Sequence, residues 1–269
     1  MSTWVLLRGL MRETRHWGDF PLHLRNALDM QTVVLLDFPG NGSLHAQTSA
    51  RSVAEMAEHC RTQLRQLGHE PPYRVLALSL GAMAAVEWGL RHPAEIERLV
   101  LINTSLAPYS PFYHRLRPAN YPALIRFLIQ ASPARRERLI LQLTSTLDRT
   151  PPQQDELLRR WTSYAQEYPV TRSNVLRQLR AAVCYRAAPA PPPVPLLLLA
   201  AQHDRLVDVK CSLALAQHWG CPLRLHTAAG HDLPLDDGAW VAQQIAEWIA
   251  RDAGNADNEQ PVSRTCEPR

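Results

Sequence analysis

Apolar residues along this chain fall into short unbroken runs, separated by longer stretches in which they recur every three or four positions. Trp4–Leu7, Thr32–Leu36, Val75–Leu78, Arg98–Asn103, Leu196–Ala200 and Leu223–Thr227 read as strands. Thr32–Leu36, β-branched and leucine-rich throughout, has the look of a parallel strand buried on both faces. Helical spacing occupies the intervals: His16–Met30, Ser52–Leu67, Leu80–Arg91, Lys210–Trp219 and Asp236–Arg251. From Thr104 to Pro193 the alternation stops. Four helical segments follow one another there, roughly Ala119–Ala131, Pro133–Leu147, Pro152–Glu167 and Arg172–Ala188, before a stiff proline hinge over Ala187–Pro195.

Strands alternating with helices predict an α/β fold, with a mostly parallel six-stranded sheet flanked by helices. The all-helical stretch predicts a helical cap inserted after the fourth strand. Residues 1–103 and 195–251 would form the core and 104–194 the cap. Residues 252–269, polar and proline-containing from Ala253 on, are expected to form a disordered tail. Ligands of such sheets bind at the carboxyl ends of the strands. The loops to search therefore follow Leu7, Leu36, Leu78, Asn103, Ala200 and Thr227.

Three of those loops carry complementary chemistry. Ala77-Leu-Ser79-Leu-Gly81 joins the third strand to its helix. A tight strand-to-helix turn exposes the serine oxygen, and the N–H of Leu80 at the helix start can stabilise an oxyanion. The rival reading of Ser79 is an ordinary helix cap. After the fifth strand stand Asp204 and, four residues on, Asp208; after the sixth stands Gly230-His231. A serine hydroxyl is a poor nucleophile unless a base takes its proton, and a carboxylate orients and stabilises the imidazolium that results. Asp204 is the favoured acid because it lies nearer the strand end, whereas Asp208 could cap the following helix. Asp37 also follows a strand, but it precedes the serine turn and fits a role pinning its own loop. His16, His45, His92 and His203 are left as structural or surface groups. Arg12 and Trp17 lie just beyond the first loop and could line a pocket, with core packing an equal alternative for Trp17.

Composition narrows the field of partners. The chain has 269 residues, 46% hydrophobic and 20% charged, an ordinary globular balance. The net charge of +4 is spread along the chain, almost all of it arginine, with Lys210 the single lysine; it makes no case for nucleic acid. Five cysteines without C-x-x-C spacing imply neither a disulfide framework nor a metal site. No run approaches the roughly 18 apolar residues of a membrane span. The apolar run near Trp4 is too short for a signal-peptide core. A cytoplasmic location is expected.

Taken together, Arg8-Gly9-Leu10, Asp37-Phe-Pro-Gly-Asn-Gly, Ala77-Leu-Ser79-Leu-Gly81 and the Asp204/Gly230-His231 pair make the chain resemble the α/β-hydrolase fold superfamily, in its capped serine-hydrolase branch. The resemblance runs from Trp4 to about Arg251. It implies Ser79 as nucleophile, His231 as general base and then acid, and Asp204 as its partner, with the Leu10 and Leu80 N–H groups as oxyanion hole. It implies a small sheet of six strands, the chain opening directly at the strand that precedes Arg8. Two positions depart from the family pattern: Arg8 stands where histidine is usual, and Ala77 where glycine is usual. The activity implied is hydrolysis of a small-molecule carboxylic ester or thioester through an acyl-enzyme, which needs no cofactor or metal. Triad-based elimination or C–C cleavage is an alternative, and so is a ligand-binding protein on the same fold. Phe112, Tyr113, Leu116, Leu124, Phe127, Leu128 and Trp161 are candidate walls for an acyl pocket, though at helical spacing such residues more often form the core of the cap.

Overall fold

The computed structural model describes residues 3–29 and 31–258. Six strands form one sheet: β1 (Thr3–Leu7), β2 (Val33–Leu36), β3 (Tyr73–Leu78), β4 (Ile96–Ile102), β5 (Leu196–Ala201) and β6 (Leu223–His226). Their order is β2-β1-β3-β4-β5-β6, and every neighbouring pair is parallel. The period-2 alternation of strand side chains divides the apolar residues between two layers. Val5, Leu7, Val75, Ala77, Leu99 and Leu101 pack under α2 (Val53–Gln66), α3 (Leu80–Arg91) and α9 (Lys210–Trp219). On the other face Trp4, Leu6, Leu76, Leu78, Val100 and Ile102 pack under α1 (Phe20–Ala27) and α10 (Leu233–Asn258).

Three segments differ from their expected form. The helix anticipated from His16 is a short 3-10 turn over Thr14–Trp17 followed by α1. Gly18 separates the two at φ +53°, a conformation that breaks the helical path, and Pro21 stands in the first turn of α1. Met30, the anticipated end of that helix, lies outside the described residues. The run expected to be buried on both faces, β2, is an edge strand whose Val33, Val34 and Leu35 are only half-buried. α10 begins at Leu233, earlier than Asp236, but Asp237 is non-helical and caps a fresh start by accepting from the Trp240 N–H at 2.9 Å. It runs on to Asn258, past Arg251; the rest of the tail, 259–269, lies outside the described residues.

Between β4 and β5 the chain inserts five helices: α4 (Phe112–Arg115), α5 (Tyr121–Ile129), α6 (Pro133–Thr144), α7 (Pro151–Glu167) and α8 (Arg172–Cys184). Leu141, Leu158 and Trp161 make their small core. Buried polar contacts fasten the insert to the loops of the sheet. Gln178 of α8 accepts from the Met11 N–H and donates to Asn41 Oδ1 at 2.7 Å and to Ser49 Oγ. Asp236 accepts from Ser145 Oγ, the Thr146 N–H and the Gly230 N–H.

Sheet register brings the ends of β1, β3, β4, β5 and β6 to one rim. Leu7 pairs with Ala77, Leu78 with Ile102, Ile102 with Leu199 and Ala201 with His226. At the β3–α3 turn the backbones of β1 and α3 nearly touch: a Cβ on Gly81 would lie 2.6 Å from the carbonyl oxygens of both Leu7 and Arg8. Neither oxygen can rotate away, so Gly81→Ala should destabilise the protein by about 1–3 kcal/mol. A urea midpoint displaced downward with an unchanged slope would register that loss, and an unchanged midpoint would contradict the crowding.

Candidate active site

Ser79 sits at the turn between β3 and α3 with φ +56° and ψ −113°, a strained backbone for a residue with a side chain. Its N–H is held by the Ile102 carbonyl at 2.9 Å. Buried Ala77 precedes it, so the elbow forms with alanine where the family usually has glycine. Among the described residues Ser79 Oγ donates to and accepts from nothing. The same holds for the N–H groups of Leu80, first residue of α3, and Leu10, in the loop after β1.

His231 is buried, and its Nδ1 lies 2.6 Å from Asp204 Oδ2. The other oxygen of Asp204 accepts the Leu206 and Val207 N–H groups at 2.8 and 2.9 Å, which fixes the carboxylate in its turn. Burial by itself would push the imidazole pKa down, but the Asp204 charge and hydrogen bond, helped by Asp232, outweigh it and hold the His231 pKa above its ordinary value. Asp208 stands apart from the histidine. It accepts the Lys210 N–H at the start of α9 and lies 3.6 Å from Arg117.

Ser79 and His231 line one cavity of about 100 Å³. Its remaining walls are mostly apolar and come largely from the insert: Leu116, Leu124 and Phe127, with Ile140 and Leu143 of α6. Leu10 and Arg12 border it from the loop after β1. Trp161 does not line this cavity; it belongs to the core of the insert and carries the Arg12 guanidinium over its ring at 4.3 Å. Phe112, Tyr113 and Leu128 also stay out of the lining, and Trp17 is buried under α1. No group of three or more His, Cys, Asp or Glu able to hold a metal occurs among the described residues.

Arg8 takes the place of the usual histidine and is nearly inaccessible, at 1% exposure. Its guanidinium forms a two-pronged pair with Asp232, at 3.0 and 2.5 Å, and lies 4.8 Å above the Trp17 ring. The pair therefore ties the loop that carries Leu10 to the residue beside His231. Arg12 donates to Glu137 of α6 at 2.6 Å and to His16 Nε2 at 3.0 Å. Arginine can only donate, so Nε2 accepts and the neutral ring has its hydrogen on Nδ1, facing the Glu13 carbonyl at 3.3 Å; the Glu13 N–H, 3.2 Å from Nδ1, is not accepted in that tautomer. Burial first, then the Arg12 and Arg8 charges, hold the His16 pKa well below its ordinary value and keep the ring neutral. Asp37 pins its own turn by accepting from the Thr14 and Ser43 N–H groups.

Two contributors escaped sequence reasoning. Asn103, at φ +45°, donates to the His231 carbonyl at 2.8 Å and accepts the Ala201 N–H, locking the ends of β4 and β5 to the histidine loop. Its position directly at a strand end was the available signal. Asp232 gave no such signal: its role follows from the burial of Arg8, which hydropathy does not encode.

Over residues 7–238 the sequence matches the alpha/beta hydrolase fold family. It is 27% identical over 275 residues to the biotin biosynthesis bifunctional protein BioHC of Teredinibacter turnerae; the match takes in 94% of this chain but 45% of that protein, so the chain spans under half its length. An enol-lactonase from Burkholderia xenovorans superposes with a TM-score of 0.74 at 18% identity, covering 93% of this chain and 91% of the other. A thermophilic esterase from Thermogutta terrifontis does so with a TM-score of 0.73 at 18% identity, covering 93% and 90%. At these identities the superpositions establish the fold.

Arg8→Met should cost about 3–5 kcal/mol of stability, because Asp232 is left buried without its counter-charge. The double variant Arg8→Met/Asp232→Leu should regain most of the loss. Chemical denaturation of the single and double variants checks this, and a double variant as unstable as the sum of its singles would contradict it.

Proposed function

The chain belongs to the alpha/beta hydrolase fold family, and on that premise we propose that it hydrolyses a carboxylic ester or thioester through an acyl-enzyme. One observation carries the reading: Ser79 on its strained elbow and His231, with Nδ1 taken by Asp204, line the same apolar chamber. Since Nδ1 is engaged, Nε2 is the ring nitrogen left to act on Ser79. Ser79 Oγ attacks the substrate carbonyl carbon and gives its proton to His231 Nε2. The carbonyl oxygen, now negative, accepts hydrogen bonds from the uncommitted Leu10 and Leu80 N–H groups. Collapse of the tetrahedral species breaks the bond to the alcohol or thiol, which leaves with the proton from His231. Water then attacks the acyl-serine with His231 again as base, and the acid is released.

The helical insert acts as a cap in this scheme. Leu116, Leu124 and Phe127 supply apolar walls for the acyl group, while every reacting side chain comes from the sheet rim. A small uncharged acyl portion is the substrate feature the lining favours. The four described cysteines all stand free, which suits the cytoplasmic setting included in this proposal.

A screen of p-nitrophenyl esters and acyl-CoA thioesters of graded chain length tests the activity. On the best of them Asp204→Asn should lower kcat by about 10⁴, the scale known for a wrong-tautomer triad. Asp208→Asn should cost far less. Because His231 must be neutral to act and its pKa is raised by Asp204, the acid limb of kcat/KM should lie above roughly pH 6.5, the ordinary imidazole value. A limb below that value, or a larger loss in Asp208→Asn than in Asp204→Asn, would overturn the assignment.

A further inference from the structure

Apolar surface is not scattered evenly over this molecule. Of the eleven large apolar side chains that are exposed among the described residues, five lie between Phe112 and Ile129. Tyr121, Ile125 and Ile129 recur at every fourth position of α5 and so form one stripe along its outer face; Ile125 is 62% and Ile129 70% exposed. Phe112 and Tyr113 are exposed too, but they stand on α4, which packs on α9. The inner face of the same α5 presents Ala123, Leu124 and Phe127 to the cavity that holds Ser79. Thus α5 is apolar on both sides, a pattern a helix adopts when neither side is meant for water.

Charge around the stripe has one sign. From Thr104 to Arg136 the chain has five arginines and no aspartate or glutamate. Arg115 is turned inward to the Ala182 carbonyl, and Arg117 faces Asp208. Arg126 and Arg135 are exposed, and Arg136 is half-buried against the Phe127 ring. None of these last three forms an ion pair among the described residues. A second copy of the chain seated on this face would bring arginines against arginines with no acid between them.

We infer that the outer face of α5 docks on an anionic lipid bilayer. Tyr121, Ile125 and Ile129 would enter the interface, and the exposed Arg126 and Arg135 would meet the headgroup phosphates. The contact proposed is a peripheral one; no helix among the described residues is long and apolar enough to cross a membrane. The inference deepens the proposed hydrolase function, on which it rests only for the substrate: the ester would be one presented at the membrane surface, with α5 as the wall between bilayer and cavity.

Co-sedimentation of the full-length Ser79→Ala chain with vesicles tests the docking without any dependence on hydrolysis. Vesicles of phosphatidylcholine alone should retain little protein, and vesicles containing phosphatidylglycerol should carry it down. Ile125→Ser/Ile129→Ser should weaken that binding at least about tenfold, given the apolar area withdrawn. Arg126→Gln/Arg135→Gln should weaken it to a similar degree and flatten its salt dependence. Circular dichroism and melting should be unchanged in the isoleucine variant, whose two side chains are exposed. Failure to bind phosphatidylglycerol vesicles would overturn the inference, as would binding indifferent to the isoleucine pair. A wild-type dimer in sedimentation velocity that Ile125→Ser/Ile129→Ser dissociates, with no vesicle binding, would assign the stripe to self-association and overturn it equally.

Discussion

The rim of this protein depends on how closely the end of β1 approaches the start of α3. With the Leu7 and Arg8 carbonyls 2.6 Å from where a Gly81 Cβ would lie, the two backbones are packed at their limit. That approach holds Ser79 at positive φ and puts the loop bearing Leu10 beside the elbow, where Gly9 meets the Ser79 side chain. It also commits Arg8, next along the chain, to a buried site. Arg8 then needs Asp232, and Asp232 is joined to His231. One steric constraint thus fixes the Ser79 turn, the loop bearing Leu10 and, through a single ion pair, the segment bearing His231.

The insert is held as firmly as the rim. Glu137 reaches Arg12, Gln178 reaches Met11, Asn41 and Ser49, and the Thr144 carbonyl accepts the Asp232 N–H at 2.7 Å. These contacts are buried and polar, so they give less net stability than apolar packing of equal size would. What they supply is registry: each contact joins particular partners, and a displaced insert would leave several of them unpaired. The cavity is consequently shaped before any substrate arrives. Apolar insert walls surround a polar corner made of Ser79, His231 and the Leu10 loop, the division of labour expected of a site that binds by shape and reacts by charge.

Much of this organisation was legible in the sequence because it rests on local signals. Strand length, helical periodicity and turn residues placed six parallel strands and a helical insert after the fourth, since each signal lies within a few neighbouring positions. Chain order alone pointed to Ser79, Asp204 and His231, and the structure brings His231 onto Asp204 and leaves Asp208 at the start of α9. Long-range pairing was not legible. Nothing near Arg8 announces Asp232, 224 positions away, and nothing near Arg12 announces Glu137. β2 read as buried because its residues are apolar, but its place at the sheet edge is set by strand order, which hydropathy does not encode. Trp161 was a candidate wall at a spacing that more often marks cap core, and core is where it stands; periodicity gives a helix its apolar face, not the neighbour that face will meet.

The central claim is that His231, set by Asp204, activates Ser79 beside a working oxyanion hole. Reaction with a fluorophosphonate tests this most directly, because the adduct mimics the tetrahedral intermediate and its formation needs both the base and the oxyanion donors. Intact-protein mass spectrometry at pH 8 should find one adduct per chain, on the peptide containing Ser79. The adduct should be absent from folded Ser79→Ala and His231→Ala variants. A folded wild-type protein that stays unlabelled, or one labelled elsewhere, would contradict the account.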